Sequence, residues 1–170
     1  MSGPAIRRPK PLKWAALGLI ALILAGHRTP LVVWNATASA PIGLYLSMPI
    51  RRLTRGDLVL AMPPPDVAQF AASRGYLPRG VPLVKHVEAL QGDTICAIQR
   101  DITIDGRQVA RRLVTDGAGR ALPHWQGCRT LKSGQVFLLM PGVRDSFDGR
   151  YFGPISRKFV LARLVPLCLR

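Results

Sequence analysis

Beyond about residue 40, short apolar runs are cut off again and again by glycine or proline. With 16 glycines and 15 prolines in 170 residues, few stretches are long enough for a multi-turn helix. The pattern favours strands joined by turns. Residues 43–48, 57–62, 81–87, 94–98, 102–104, 135–140 and 158–165 read as strands. Asp105-Gly106 is a strong hairpin signal, since both positions suit positive φ. Pro63-Pro64-Pro65 interrupts the strands, and Asp66 then reads as the N-cap of a short helix over 67–73, ended by Gly75. Residues 107–131 are the least regular and read as a loop-rich insertion. The expected fold is one mostly-β domain, a coiled or barrel-like sheet with one or two short helices. The length allows one such core plus an N-terminal segment.

That segment divides simply. Residues 1–13 carry Arg7, Arg8, Lys10 and Lys13 and no acid, and 14–26 are apolar without a break. After His27 and Arg28 the hydrophobicity resumes at Leu31-Val32-Val33-Trp34. The sequence thus divides into a cytoplasmic basic leader (1–13), a membrane anchor (14–34) and a body (35–170). The strict apolar core is shorter than the roughly 20 residues of a perpendicular span. A cleavable export signal is therefore the competing reading, with small residues at Ala36-Thr37-Ala38 and Ala38-Ser39-Ala40. Either way, the basic leader sends the remainder out of the cytoplasm.

The net charge of +15 comes from scattered cations, with a second cluster at Arg51, Arg52 and Arg55. No helix-turn-helix, zinc-finger spacing or aromatic-interleaved basic stripe accompanies them, which argues against nucleic acid as a partner. Phospholipid headgroups are the better match. Cys96, Cys128 and Cys168 are too dispersed for a metal site and form no CxxC. In an exported domain one disulfide becomes permissible, with Cys96–Cys128 preferred because Cys168 lies in the C-terminal apolar tail. Three free thiols remain the alternative. No cofactor or metal is expected.

One serine and one lysine carry the chemistry. Ser39 lies just past the apolar segment, in Asn35-Ala36-Thr37-Ala38-Ser39-Ala40-Pro41-Ile42-Gly43-Leu44-Tyr45. Lys85 sits in Val81-Pro82-Leu83-Val84-Lys85-His86-Val87, where burial among Val81, Leu83 and Val87 would favour its neutral form. A serine beside a neutral lysine is a nucleophile beside its base. The three histidines offer no comparable arrangement. His27 is at the membrane edge, His86 points to the strand face opposite Lys85, and His124 is in the irregular region.

Four segments, in order, resemble the boxes of type I signal peptidases, and more closely the conjugative-transfer (TraF-type) branch of that family. The first is Asn35 through Tyr45, whose Ser-x-Pro-x-Gly-Leu-Tyr portion is similar to that branch's nucleophile box. The second is Arg55-Gly56-Asp57-Leu58-Val59, and the third Leu83-Val84-Lys85-His86-Val87 followed by Gly92-Asp93-Thr94-Ile95. The fourth, Asp145-Ser146-Phe147-Asp148-Gly149-Arg150-Tyr151-Phe152-Gly153, is similar to the family's Ser-x-Asp-Ser-Arg box. The resemblance implies Ser39 as nucleophile, Lys85 as general base and Ser146 as a hydrogen-bond partner of the lysine amine. Asp148 and Arg150 would form an ion pair bracing the last loop, with Asp148 preferred to Asp145 as the aspartate required in that branch. Thr37 would supply an oxyanion-hole hydroxyl beside the backbone N–H of Ser39. Two departures stand out. Gly149 occupies a position where serine is usual, and residues 140–144 lack the Gly-Asp-Asn of the general secretory enzymes.

What the resemblance implies is a membrane-anchored Ser/Lys endopeptidase of the bacterial cytoplasmic membrane, its catalytic domain in the periplasm. It would mature a membrane-inserted, pilin-like precursor for conjugative transfer or type IV secretion, by cleavage or by cyclisation. A general signal peptidase for secreted preproteins is one alternative. A non-catalytic membrane-anchored assembly factor is another. A soluble self-cleaving repressor is excluded by the apolar N-terminus and the missing DNA-binding module.

Overall fold

The computed structural model describes residues 29–37 and 40–169. The basic leader, most of the expected anchor and Ser39 lie outside the described residues. The compact unit of the body begins at Leu31. It is mostly β, as expected, with two short helices. Seven strands form an antiparallel sheet in the order β1 (Val32–Asn35), β2 (Gly43–Met48), β11 (Val160–Leu169), β3 (Leu58–Ala61), β4 (Leu83–Ala89), β9 (Gln135–Leu139) and β10 (Ile155–Ser156). A second sheet of four runs β7 (Arg107–Arg111), β6 (Asp101–Ile104), β5 (Thr94–Ile98), β8 (Gly127–Thr130).

Bulges in β11 and β4 bend the larger sheet, because each inserted residue adds local twist. The curl does not close: β1 and β10 end the sheet without pairing to each other, so the expected barrel is an open one. Strand β9 joins the layers. Its Val136 and Leu138 belong to one core cluster, with Val59, Val87 and Ile155, while Phe137 and Leu139 face a second, with Ile95, Ile102 and Trp125. Burial on both faces explains why this strand is a continuous apolar run instead of an alternating one. A third cluster, with Tyr45, Leu60, Val84 and Met140, fills the space near β2 and β11.

Four local expectations are corrected. Val32-Val33-Trp34, grouped with the anchor, is strand β1, because β2 supplies a full antiparallel partner. The helix α1 spans Pro65–Ser73 with Pro64 as N-cap, so Asp66 lies in the first turn, where it complements the helix dipole. The region 107–131 contains β7 and β8, both paired to the smaller sheet. Finally, β11 starts at Val160 after a 3₁₀ turn at Arg157–Phe159, and it continues to Leu169. The Asp105-Gly106 hairpin is present, with φ of 50° and 80° at its two central positions. The Cys96–Cys128 disulfide is also present and joins directly paired residues of β5 and β8, while Cys168 is a free, exposed thiol.

Candidate active site

Lys85 lies near the middle of β4, whose neighbours are β3 and β9. Its register partner is Val59, and Val87 follows it on the same face; both are core residues. The side chain is 1% exposed. Burial is the main reason its amine is pushed down from an ordinary 10.5 to about 8; the Asp148 carboxylate pulls the value up, and the Arg150 guanidinium pushes it down. His86, one residue on, faces the other side and bonds to the Gly56 carbonyl through Nδ1.

The Gly-Asp segment fixes where β4 sits. The Gly56 N–H donates to the Val87 carbonyl at 2.7 Å, and the Val87 N–H donates to the Asp57 carbonyl at 2.9 Å. Asp57 in turn accepts the Thr54 N–H. Gly56 has φ of 87°, a turn conformation that glycine enters at little cost. This box therefore acts as a register lock for the strand carrying Lys85.

The Asp145–Gly153 segment forms a closed loop and a short helix, α2 (Gly149–Phe152). Asp148 is fully buried and Arg150 is 2% exposed. Arg150 donates to both Asp148 carboxylate oxygens, at 2.8 and 3.0 Å, and to the carbonyls of Met140 and Arg144. Asp148 also accepts the Met140 and Arg150 backbone N–H groups. The pair thus ties the end of β9 to α2, as expected. Phe147 stacks against Phe70 and Tyr151 and contacts Tyr76 and Phe152, joining this loop to α1.

Gly149, the departure from the usual serine, has a steric cause. A Cβ there would lie 2.7 Å from both the Leu138 carbonyl and the Phe137 ring. Gly149→Ser is expected to destabilise the fold by about 1–3 kcal/mol, read as a lower urea midpoint at unchanged slope.

Two further expected supports are Ser146 and Thr37. Ser146 is buried, and its Oγ has no hydrogen-bond partner among the described residues, the Lys85 amine included. An orphaned buried hydroxyl costs about 1–3 kcal/mol. The Thr37 hydroxyl donates its proton to Asn35 Oδ1 at 2.8 Å.

Asn35 is the residue that sequence reasoning missed. It ends β1, opposite Gly43, just before the Ser39 position in the sequence. Its amide nitrogen lies 3.0 Å from each of the carbonyls of Thr37, Ala40 and Pro41, and its oxygen accepts the Thr37 N–H as well. One buried side chain thus holds the chain on both sides of residues 38–39. Tyr45 adds a hydroxyl bond to the Pro41 carbonyl at 2.6 Å. Gly43 is required because a Cβ there would run into the Cys168 carbonyl. The alternate positions 35, 37, 41, 43 and 45 therefore each have a local task. The signal was available: an asparagine at a strand end before a loop is a turn former.

A lysine buried in a sheet and a braced acid–base loop suit an enzyme that activates a hydroxyl. The family model for signal peptidase, peptidase S26, matches residues 12–168, and the chain belongs to that family. Within it the chain is of the TraF type. The plasmid transfer protein TraF of Escherichia coli is 34% identical over 164 residues, covering 88% of this chain and 90% of the relative. The conjugal transfer protein TraF of Agrobacterium fabrum is 35% identical over 165 residues, covering 89% and 92%. Among solved structures, a signal peptidase I from Enterococcus faecalis matches with a TM-score of 0.41 and 18% identity, over 69% of this chain and all of that one.

Proposed function

We propose that the chain is a membrane-anchored serine endopeptidase in which Ser39 attacks a peptide bond and Lys85 is the general base. The observation that carries this reading is the burial of Lys85 in β4, which lowers the amine to about 8. Neutral Lys85 takes the Ser39 proton, Ser39 adds to the scissile carbonyl, and the protonated amine returns the proton to the leaving nitrogen. Water, or the N-terminus of the precursor, resolves the acyl-enzyme. The TraF relatives are named for plasmid and conjugal transfer, which favours a pilin-like precursor of a conjugation apparatus as substrate. The disulfide favours an exported, periplasmic body. Val32, Trp34 and Val165 are exposed, and Val32 and Val165 share the register partner Leu46, an apolar face suited to a bilayer surface.

Ser39→Ala and Lys85→Ala variants, each co-expressed with a candidate pilin precursor in membranes, are expected to leave it unprocessed. Processing by both variants would end the Ser/Lys reading. The orphaned Ser146 hydroxyl is the observation that favours a non-catalytic assembly role instead. That role predicts transfer activity intact in both variants. Asn35→Ala is expected to lower kcat about 10–100-fold by freeing Thr37, Ala40 and Pro41 on either side of Ser39, since misplacement by an ångström costs on that order. Precursor cleavage by purified protein in micelles measures it, and an unchanged kcat would remove Asn35 from the machinery.

A further inference from the structure

A cavity of about 370 Å³ opens between the end of β7 and the loop after β9. Five arginines line it, Arg100, Arg111, Arg112, Arg144 and Arg150, beside apolar Val109, Leu113 and Val143. Two of the five are matched to acids: Arg150 to Asp148, and Arg111 to Asp101 at 3.5 Å. Arg100, Arg112 and Arg144 form no ion pair among the described residues. Arg112 is the most telling. It is 4% exposed, and its guanidinium donates to the carbonyls of Trp125 and Gln99. Carbonyl acceptors satisfy its N–H groups without cancelling its charge, and arginine does not shed its proton. A permanent cation held in this way gives the cavity a fixed positive field that its own acids do not balance.

We propose that this cavity binds a phosphate-bearing anion. A carboxylate balances a single guanidinium. A phosphate carries about −1.5 to −2 charge and at least three acceptor oxygens, which suits the exposed guanidinium donors of Arg100 and Arg144 on the wall of one cavity, over the buried charge of Arg112. The volume exceeds that of the phosphate alone, and the apolar wall at Val109, Leu113 and Val143 leaves room for a small attached group. The cavity shares Arg150 with the loop braced by Asp148, but the proposal stands whether or not the Ser39 and Lys85 reading holds.

Calorimetric titration of the full chain in non-ionic detergent with pyrophosphate tests the proposal. One-site binding is expected, weakened at least about tenfold in an Arg100→Gln/Arg144→Gln variant, which removes two exposed charge-assisted donors. An Arg51→Gln/Arg52→Gln variant removes the same charge elsewhere and is expected to bind as the native chain does. Vesicles of phosphatidylcholine with and without phosphatidic acid separate the sources. Recruitment by phosphatidic acid that depends on Arg100 and Arg144 identifies a lipid headgroup, and pyrophosphate binding without recruitment identifies a soluble phosphate compound. The proposal is overturned by absence of saturable binding in both assays, or by equal weakening in the two variants. Tighter binding of a triglutamate peptide than of pyrophosphate overturns it too.

Discussion

Lys85→Met is expected to lower precursor processing about 10²–10⁴-fold, the usual contribution of a positioned general base. The same change is expected to make the protein more stable at neutral pH. Both follow from one fact, that a lysine is buried where its charged form is poorly solvated. With the amine at about 8, about a tenth of the molecules hold it neutral at pH 7, against about one in three thousand at its ordinary value. Native activity should therefore rise with pH and level off above about 8. Stability should follow the same direction for a different reason. Between about 8 and 10.5 the unfolded chain keeps a proton that the folded chain has lost, so native stability increases with pH across that window. Below about 8 both states are protonated, and the whole cost remains, roughly 3 kcal/mol for the gap between the two values. Methionine removes the charge and keeps the volume. It also loses the attraction to Asp148, so a net gain of about 1–2 kcal/mol at pH 7 is expected, shrinking toward pH 10. Urea unfolding of both proteins at several pH values measures this. A variant less stable than the native protein at pH 7 would mean that the lysine serves as a structural cation.

Asp148→Ala is expected to cost about 3–5 kcal/mol of stability, because it strands Arg150 in a buried site without its counter-charge. The loss should exceed that of the milder Asp148→Asn, which fills the same volume and keeps one acceptor oxygen for one of the two backbone N–H groups, of Met140 or of Arg150. The milder variant has a second readout. Asp148 is the group whose charge raises the Lys85 value, so Asp148→Asn should move the midpoint of the activity profile below about 8. A profile that keeps its midpoint would confine Asp148 to bracing the loop. Thermal unfolding and initial rates across pH, taken on the same preparations, separate the two effects.

The spacing of apolar residues and the Gly and Pro breaks were enough to place most strands, because strand and turn propensities act over a few residues. Strands β2 and β5 match their expected bounds, and the Cys96–Cys128 pair was legible from the isolation of Cys168 in the tail. Strand β1 was not legible. Its Val32-Val33-Trp34 is as apolar as the segment before it, and the pairing with β2 that distinguishes them is non-local. The same holds for β7 and β8, short polar strands that exist because β6 and β5 offer them edges.

In the candidate site the division is similar. The sequence by itself determined which residue types stand in order along the chain: a serine after an apolar segment, a lysine in a strand and an Asp-x-Arg pair. Only the tertiary structure decided their environments. Burial of Lys85 depends on β3 and β9 pairing to either side of β4, which no local window contains. Asn35 holding Thr37 on one side of Ser39 and Ala40 and Pro41 on the other depends on the pairing of β1 with β2. Gly149 became explicable only once Phe137 and Leu138 were seen against it. Residue chemistry is inherited from the sequence, but a pKa, a missing partner or a steric limit is set by neighbours that folding brings from far along the chain.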